Sequence, residues 1–250
     1  MRNSDDAVRL RARTGAEDAL RLPARGDRAG AAQRAACDAF EESWAARRAE
    51  VEREGKIACA AGCATCCHQH VAVATIEAVA IADHLATRPD LAARLAAAAP
   101  RIAALSAPER RRARLPCPFL ETDGRCGIYT VRPLRCRGVH SRDVGLCRAQ
   151  TERPDEARRE RDARTGPPAA FPLAPVHIAD AALAGLALAQ RGAGIADDTL
   201  EMVAALGALL ADPARARAAM AGQDDLADAR LDPAQRPVAG AGARAYIPAT

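Results

Sequence analysis

Aromatic side chains make up only 2% of this 250-residue chain, although 49% of its residues are apolar. Large rings and β-branched residues normally fill sheet cores, so their scarcity argues against a large sheet. Ala and Leu supply most of the apolar share and favour helices. A core built largely of alanine is thin, because each side chain buries little area.

Long apolar runs are missing too. Ala179 to Gln190 is the nearest candidate and falls short of a membrane span. The opening stretch, MRNSDDAVRLRARTGAEDALRL, carries charges throughout and lacks the apolar centre of a secretory signal. The expectation is a cytoplasmic protein with no membrane partner. Charge of one sign is also absent: the net value is +4 with a pI near 8.7. Arg110-Arg111-Arg112 and Arg158-Arg159 are basic runs, but acidic residues interleave with the arginines and no aromatics stand among them to stack on bases. Both runs read as solvated faces, and nucleic acid is not an expected partner. No motif identifies a protein partner.

What the chain does have is sulfur. Nine cysteines exclude complete internal disulfide pairing, and in a reducing compartment clustered thiols more often hold metal than form bridges. Cys59, Cys63, Cys66 and Cys67 crowd into nine residues and are answered by Cys117, Cys126, Cys136 and Cys147. Thiolates are the charged, soft donors that zinc and iron prefer. Neighbouring side chains diverge, so the vicinal pair Cys66-Cys67 is hard to satisfy with one tetrahedral ion. Eight candidate ligands exceed one mononuclear site and fit two ions, or an iron–sulfur cluster plus one ion. Bound metal would also add folding energy to a thin core. Arg125, Arg132, Arg135, Arg137 and Arg142 could offset the negative charge of such a centre. His68 is an open candidate to replace a thiolate, whereas His70 and His140 read as ordinary polar residues. Cys37 shares a helical stripe with Phe40, Trp44 and Val51, so it reads as a small core hydrophobe.

Taken in order, residues 1–26 read as a disordered tail, 27–150 as the cysteine-cluster domain and 151–170 as a polar connection. Residues 171–222 read as helices packing on the same domain, and 223–250 as a second disordered tail. Within the domain the patterns predict a helix from Asp27 to Glu54 and a β-type run at Val71-Ala72-Val73. A helix capped by Thr75 runs to about Thr87, and another spans Leu91 to Leu105 with a kink or break at Pro100. A capping box, Ser106-x-x-Glu109, opens a short helix, and Asp123-Gly124 predicts a small hairpin. Pro133 sets up a turn or the start of a helix carrying Cys136, and Cys147 falls on a short helix. Two more helices are expected near 176–190 and 198–211, the second capped by Asp198. The expected fold class is mainly α: a helical bundle around a metal-binding cysteine-rich loop region with a small β-hairpin.

C-x3-C-x2-C-C over Cys59–Cys67, then Cys117-Pro118-Phe119-Leu120, then G-x-C-x-I-Y-x2-R-P-x2-C-R over Gly124–Arg137, resemble the zinc- or iron-chelating proteins of the YkgJ-type cysteine-cluster family. The three blocks occur in order and cover roughly residues 57 to 150. The resemblance implies metal chelation, by zinc, iron or an iron–sulfur cluster, in a structural role or in metal and redox handling. Flagellin lysine N-methylases carry a similar cluster, which brings in an iron–sulfur-dependent enzyme as the alternative, though no second catalytic motif accompanies it here. Cys59-x3-Cys63-x2-Cys66 also has radical-SAM spacing. It has Thr65 where that motif carries an aromatic, and no strand–helix series surrounds it.

Overall fold

Alanine and glycine set how closely the helices of this chain approach one another. A computed structural model describes residues 2–23, 27–153, 156 and 170–231. Helix α1 (Arg2–Leu20) lies against α2 (Arg28–Arg53) and α8 (Leu173–Gly192). Its inward stripe is Val8, Ala12, Ala16 and Ala19, at steps of four, four and three. At the tightest point a Cβ on Gly185 of α8 would stand 2.3 Å from the Arg9 carbonyl oxygen and 2.9 Å from the Ala12 methyl. Only a residue without a side chain fits there.

The expected tail at 1–26 is therefore corrected: residues 2–20 are a packed helix, and 24–26 lie outside the described residues. The stripe is apolar but weakly so, and it hides among charges that pair along the outer face. Arg9 meets Asp6 at 2.7 Å and Arg13 meets Glu17 at 2.6 Å, spacings that support a helix locally.

Helix α2 starts where Asp27 accepts the Gly30 amide at 2.9 Å, and it buries Cys37, Phe40, Trp44 and Val51 on one face. Helix α3 (Thr75–Ala86) packs on α2, and α4 (Pro89–Ala103) packs on α9 (Met202–Ala211). Thr75 does not cap α3. Its hydroxyl donates to Ala196 O at 2.9 Å, while Glu77 reaches back to the Ala74 amide at 3.0 Å. Pro100 sits inside α4, which continues to Ala103; the proline has no amide to offer the Ala96 carbonyl one turn before it, yet the helix is not ended there.

The β-type run is confirmed as β1 (Ala72–Val73), paired antiparallel with β2 (Leu200–Glu201) in the register Ala72↔Glu201 and Val73↔Leu200. That pairing moves the start of the second C-terminal helix from 198 to Met202. The cap is Glu201, accepting the Ala204 amide at 2.8 Å, and not Asp198. The expected hairpin at Asp123-Gly124 contracts to a turn closed by a single antiparallel bridge, Leu120↔Cys126.

Beyond α9, α10 (Ala214–Met220) and a 3-10 turn (Ala227–Ala229) fold back, burying Leu226, Ala229 and Leu231. Residues 223–231 are thus ordered parts of the fold, tied by the Leu231 amide donating to Thr199 O at 2.9 Å. Residues 232–250 and nearly all of 151–170 beyond Arg153 lie outside the described residues. Helix α8 is longer than its apolar run suggested and has the length and composition to cross a membrane. Here Ile178, Ala179, Ala182, Leu186 and Ala189 are buried against α1 and α2. The fold class is as expected, mainly α with a small two-stranded sheet among the described residues.

Candidate metal centre

The cysteine region is held by backbone bonds that join its two halves. The early half is a loop leading into a 3-10 turn at Thr65–His68. The later half comprises the turn around Cys117–Cys126, a 3-10 turn at Tyr129–Val131, α6 (Leu134–Gly138) and α7 (Val144–Glu152). The Cys117 amide donates to Cys67 O at 2.6 Å, and the Ala58 amide donates to Ser141 O at 2.8 Å. The Ser141 amide donates to the Cys59 sulfur at 3.2 Å. Thr151 of α7 donates its hydroxyl to Thr65 O at 3.3 Å. Gly124, with φ +79°, brings its Cα so near the early loop that a Cβ would lie 2.5 Å from Gly62 O.

Arg142 anchors the entry to this region. Its guanidinium donates to Gly55 O at 2.9 Å and Val51 O at 2.7 Å, capping the carbonyl end of α2. Glu77, wholly buried, anchors the exit by accepting the Leu134 amide at 2.8 Å at the start of α6.

All nine cysteines are free thiols. Burial pushes the thiols of Cys117 and Cys136 up to about 12. Burial likewise raises Cys59, Cys126 and Cys147, while Cys66 is raised first by its bond to Cys67 and then by burial. Several sulfurs already receive the donors a thiolate needs. The Phe119 amide donates to Cys117, the Ile128 amide to Cys126 and the Ser141 amide to Cys59. Burial also opposes the charge of Arg132, yet the surrounding Cys136, Cys66, Cys126 and Cys67 outweigh it and hold the guanidinium above its usual value. Sulfurs from both halves thus act on the charge of Arg132. Arg132 also donates to Cys136 O and sits 5.9 Å from the Tyr129 ring centre.

Among the described residues, no three Cys, His, Asp or Glu side chains stand in an arrangement that already encloses an ion. The candidate donors are soft, half-buried sulfurs accompanied by amide donors and by the charge of Arg132. Their chemistry fits zinc or iron.

The histidines and the remaining arginines are engaged elsewhere. His68 lies 3.4 Å from Thr65 O. His70 is buried between Leu105 O at 3.0 Å and Glu201 at 3.1 Å. His140 packs against Trp44 with ring centres 4.8 Å apart and the rings tilted by 46°, and burial lowers its pKa. Arg125 is exposed beside Asp123, Arg135 pairs with Asp180, and Arg137 pairs with Glu41 at 2.7 Å. Cys37 is buried in α2, apart from the cluster.

One residue overturns its sequence reading. Arg110, expected on a solvated face, has a fully buried side chain 3.4 Å from Glu201. Arg112 of the same run is exposed, and Arg158 and Arg159 lie outside the described residues. The one available signal was the i, i+3 register of Arg110 with buried Ala107 on α5 (Ala107–Ala113).

Residues 58–165 match the family model CxxCxxCC, described as "Putative zinc- or iron-chelating domain". The match covers all eight clustered cysteines and supports metal binding by this part of the chain. The first gap here, from Cys59 to Cys63, is one residue longer than the family's name spells out. No curated protein and no solved structure matches the chain.

Proposed function

We propose that the cysteine region binds zinc or iron through thiolates drawn from Cys59, Cys63, Cys66, Cys67, Cys117, Cys126, Cys136 and Cys147, and that the metal serves to hold the fold or to be handled by it. The observation that carries this reading is the joining of the two cysteine-bearing halves, where the Cys117 amide donates to Cys67 O at 2.6 Å and the Ser141 amide to the Cys59 sulfur at 3.2 Å, with sulfurs of both halves acting on the charge of Arg132. A half-buried cation acted on by several sulfurs is matched in charge once those thiols are thiolates, and metal is what makes them so. Eight donors outnumber the four of one tetrahedral ion. This supports a centre of more than one metal, either two ions or an iron–sulfur cluster beside one ion. Clustered thiols serve as metal ligands while they stay reduced, which supports a cytoplasmic setting.

Anaerobic purification followed by metal analysis and an absorption spectrum tests the reading. Colourless protein with stoichiometric zinc supports a structural thiolate site. Brown protein with labile sulfide supports an iron–sulfur centre. Protein that takes up neither zinc nor iron, when offered each under reducing conditions, refutes metal binding.

A further inference from the structure

Arg110 has a fully buried side chain, with an exposure of 0%. Its carboxylate partner is shared. Glu201 lies 3.4 Å from Arg110 and 3.1 Å from His70, and it also accepts the Ala204 amide at 2.8 Å. Two of the guanidinium nitrogens, Nε and Nη2, have no hydrogen-bond partner among the described residues although both are buried. Buried donors without an acceptor are costly, and native folds retain them where something else pairs with them.

The nearby groups that could pair with it are sulfurs. Burial pushes the Arg110 guanidinium down, and Glu201, then Cys117, Cys136 and Cys67, act against that. As neutral thiols these sulfurs are weak acceptors. As metal-bound thiolates they carry charge and accept strongly.

We infer that Arg110 is a positioning residue for the metal–thiolate centre, its Nε–H and Nη2–H donating to the thiolates of Cys67, Cys117 and Cys136. The inference rests on the metal-binding reading above and deepens it: the centre is anionic, and its charge is balanced from beneath by α5 as well as by Arg132. Glu201 orients Arg110 from β2, so the small sheet supports the site although it contributes no ligand.

Anaerobic titration with cobalt(II), followed by sulfur-to-cobalt charge-transfer absorption, tests this. The double variant Arg110→Met/Glu201→Gln removes the buried ion pair together and keeps an oxygen to cap α9. Its cobalt affinity is expected to fall about 10- to 100-fold, the usual cost of losing a partner that supports the ligands, while Glu201→Gln alone stays much closer to the parent. A folded double variant with parental affinity overturns the inference and shows that Arg110 serves only Glu201. Arg110→Lys covers the case in which the double variant does not fold. It retains charge but not the fork of donors, so a moved charge-transfer band and weaker binding are expected, and an unchanged band with unchanged affinity overturns the hydrogen-bonding role. Parental protein that takes up no cobalt, zinc or iron removes the metal reading itself.

Discussion

The buried carboxylate of Glu77 joins two helices: one oxygen accepts the Leu134 amide at 2.8 Å and the other accepts the Ala74 amide at 3.0 Å. Burial raises its pKa, and the Leu134 and Ala74 amides work against that rise. Leu134 begins α6, so this bond sets where Cys136 stands. Glu77→Ala strips two buried amides of their acceptor, each omission costing about 1–3 kcal/mol. The variant should therefore lose several kcal/mol in urea unfolding and bind metal less tightly. Glu77→Gln retains one acceptor and should lose less. Equal stability of parent and Glu77→Ala would refute the assignment.

Ligand and core cysteines should separate cleanly. Cys63→Ala and Cys126→Ala are expected to lower bound metal per protein and thermal stability together. Cys37→Ala should keep its metal, with stability changed only by the packing of a small buried side chain. Plasma emission analysis of the three variants, purified side by side, is the check. The same metal content in all three would count against the ligand set.

The buried Cys37 thiol gives an alkaline signature. Burial pushes it from 9.0 up to about 12, so the folded chain holds this proton more tightly than the unfolded chain. Its contribution to stability is fully present below pH 9 and is lost as pH rises from 9 toward 12. At pH 10.5 the loss is about 2 kcal/mol, at about 1.4 kcal/mol per unit of pKa difference. Urea unfolding of metal-free parent and Cys37→Ala at pH 8 and pH 10.5 should show a shallower decline for the variant. Parallel declines would refute it.

Gly124 tests whether the two loops must touch. Its φ of +79° and the 2.5 Å approach a Cβ would make to Gly62 O both oppose any side chain. Gly124→Ala should cost about 1–3 kcal/mol, combining backbone strain with a local clash. Because the clash lies between the early and late halves, metal affinity should fall as well. Calorimetric titration with zinc beside a thermal melt reads both quantities, and an unchanged affinity would mean the loops need not meet.

Much of this arrangement was legible in the residues, for identifiable reasons. The α2 stripe of Cys37, Phe40, Trp44 and Val51 carries bulky side chains, so its period stands out, and Gly55 marks its end. Val71–Val73 was readable as a strand, but its partner Leu200–Glu201 was not, since two residues beside a helical run leave no pattern of their own. Helix α1 was missed because alanine at positions 12, 16 and 19 is too weak a hydrophobe to show among arginines and acids. Arg110 was missed because a run of like charges reads as one face, whereas a helix turns each member in a different direction. The eight clustered thiols were legible as candidate donors from chemistry alone. Which histidines and arginines stand beside them depended on contacts between distant segments, such as His140 with Trp44.

Ser141 links both ends of the cysteine set. Its amide reaches the Cys59 sulfur, its carbonyl holds Ala58, and its hydroxyl donates to Asp143 O, the carbonyl that also accepts the Cys147 amide. A shift of one sulfur toward an ion would tug the other through this single residue. Filling would then be concerted, with half-loaded molecules scarce, and stripping the metal would release both segments at once.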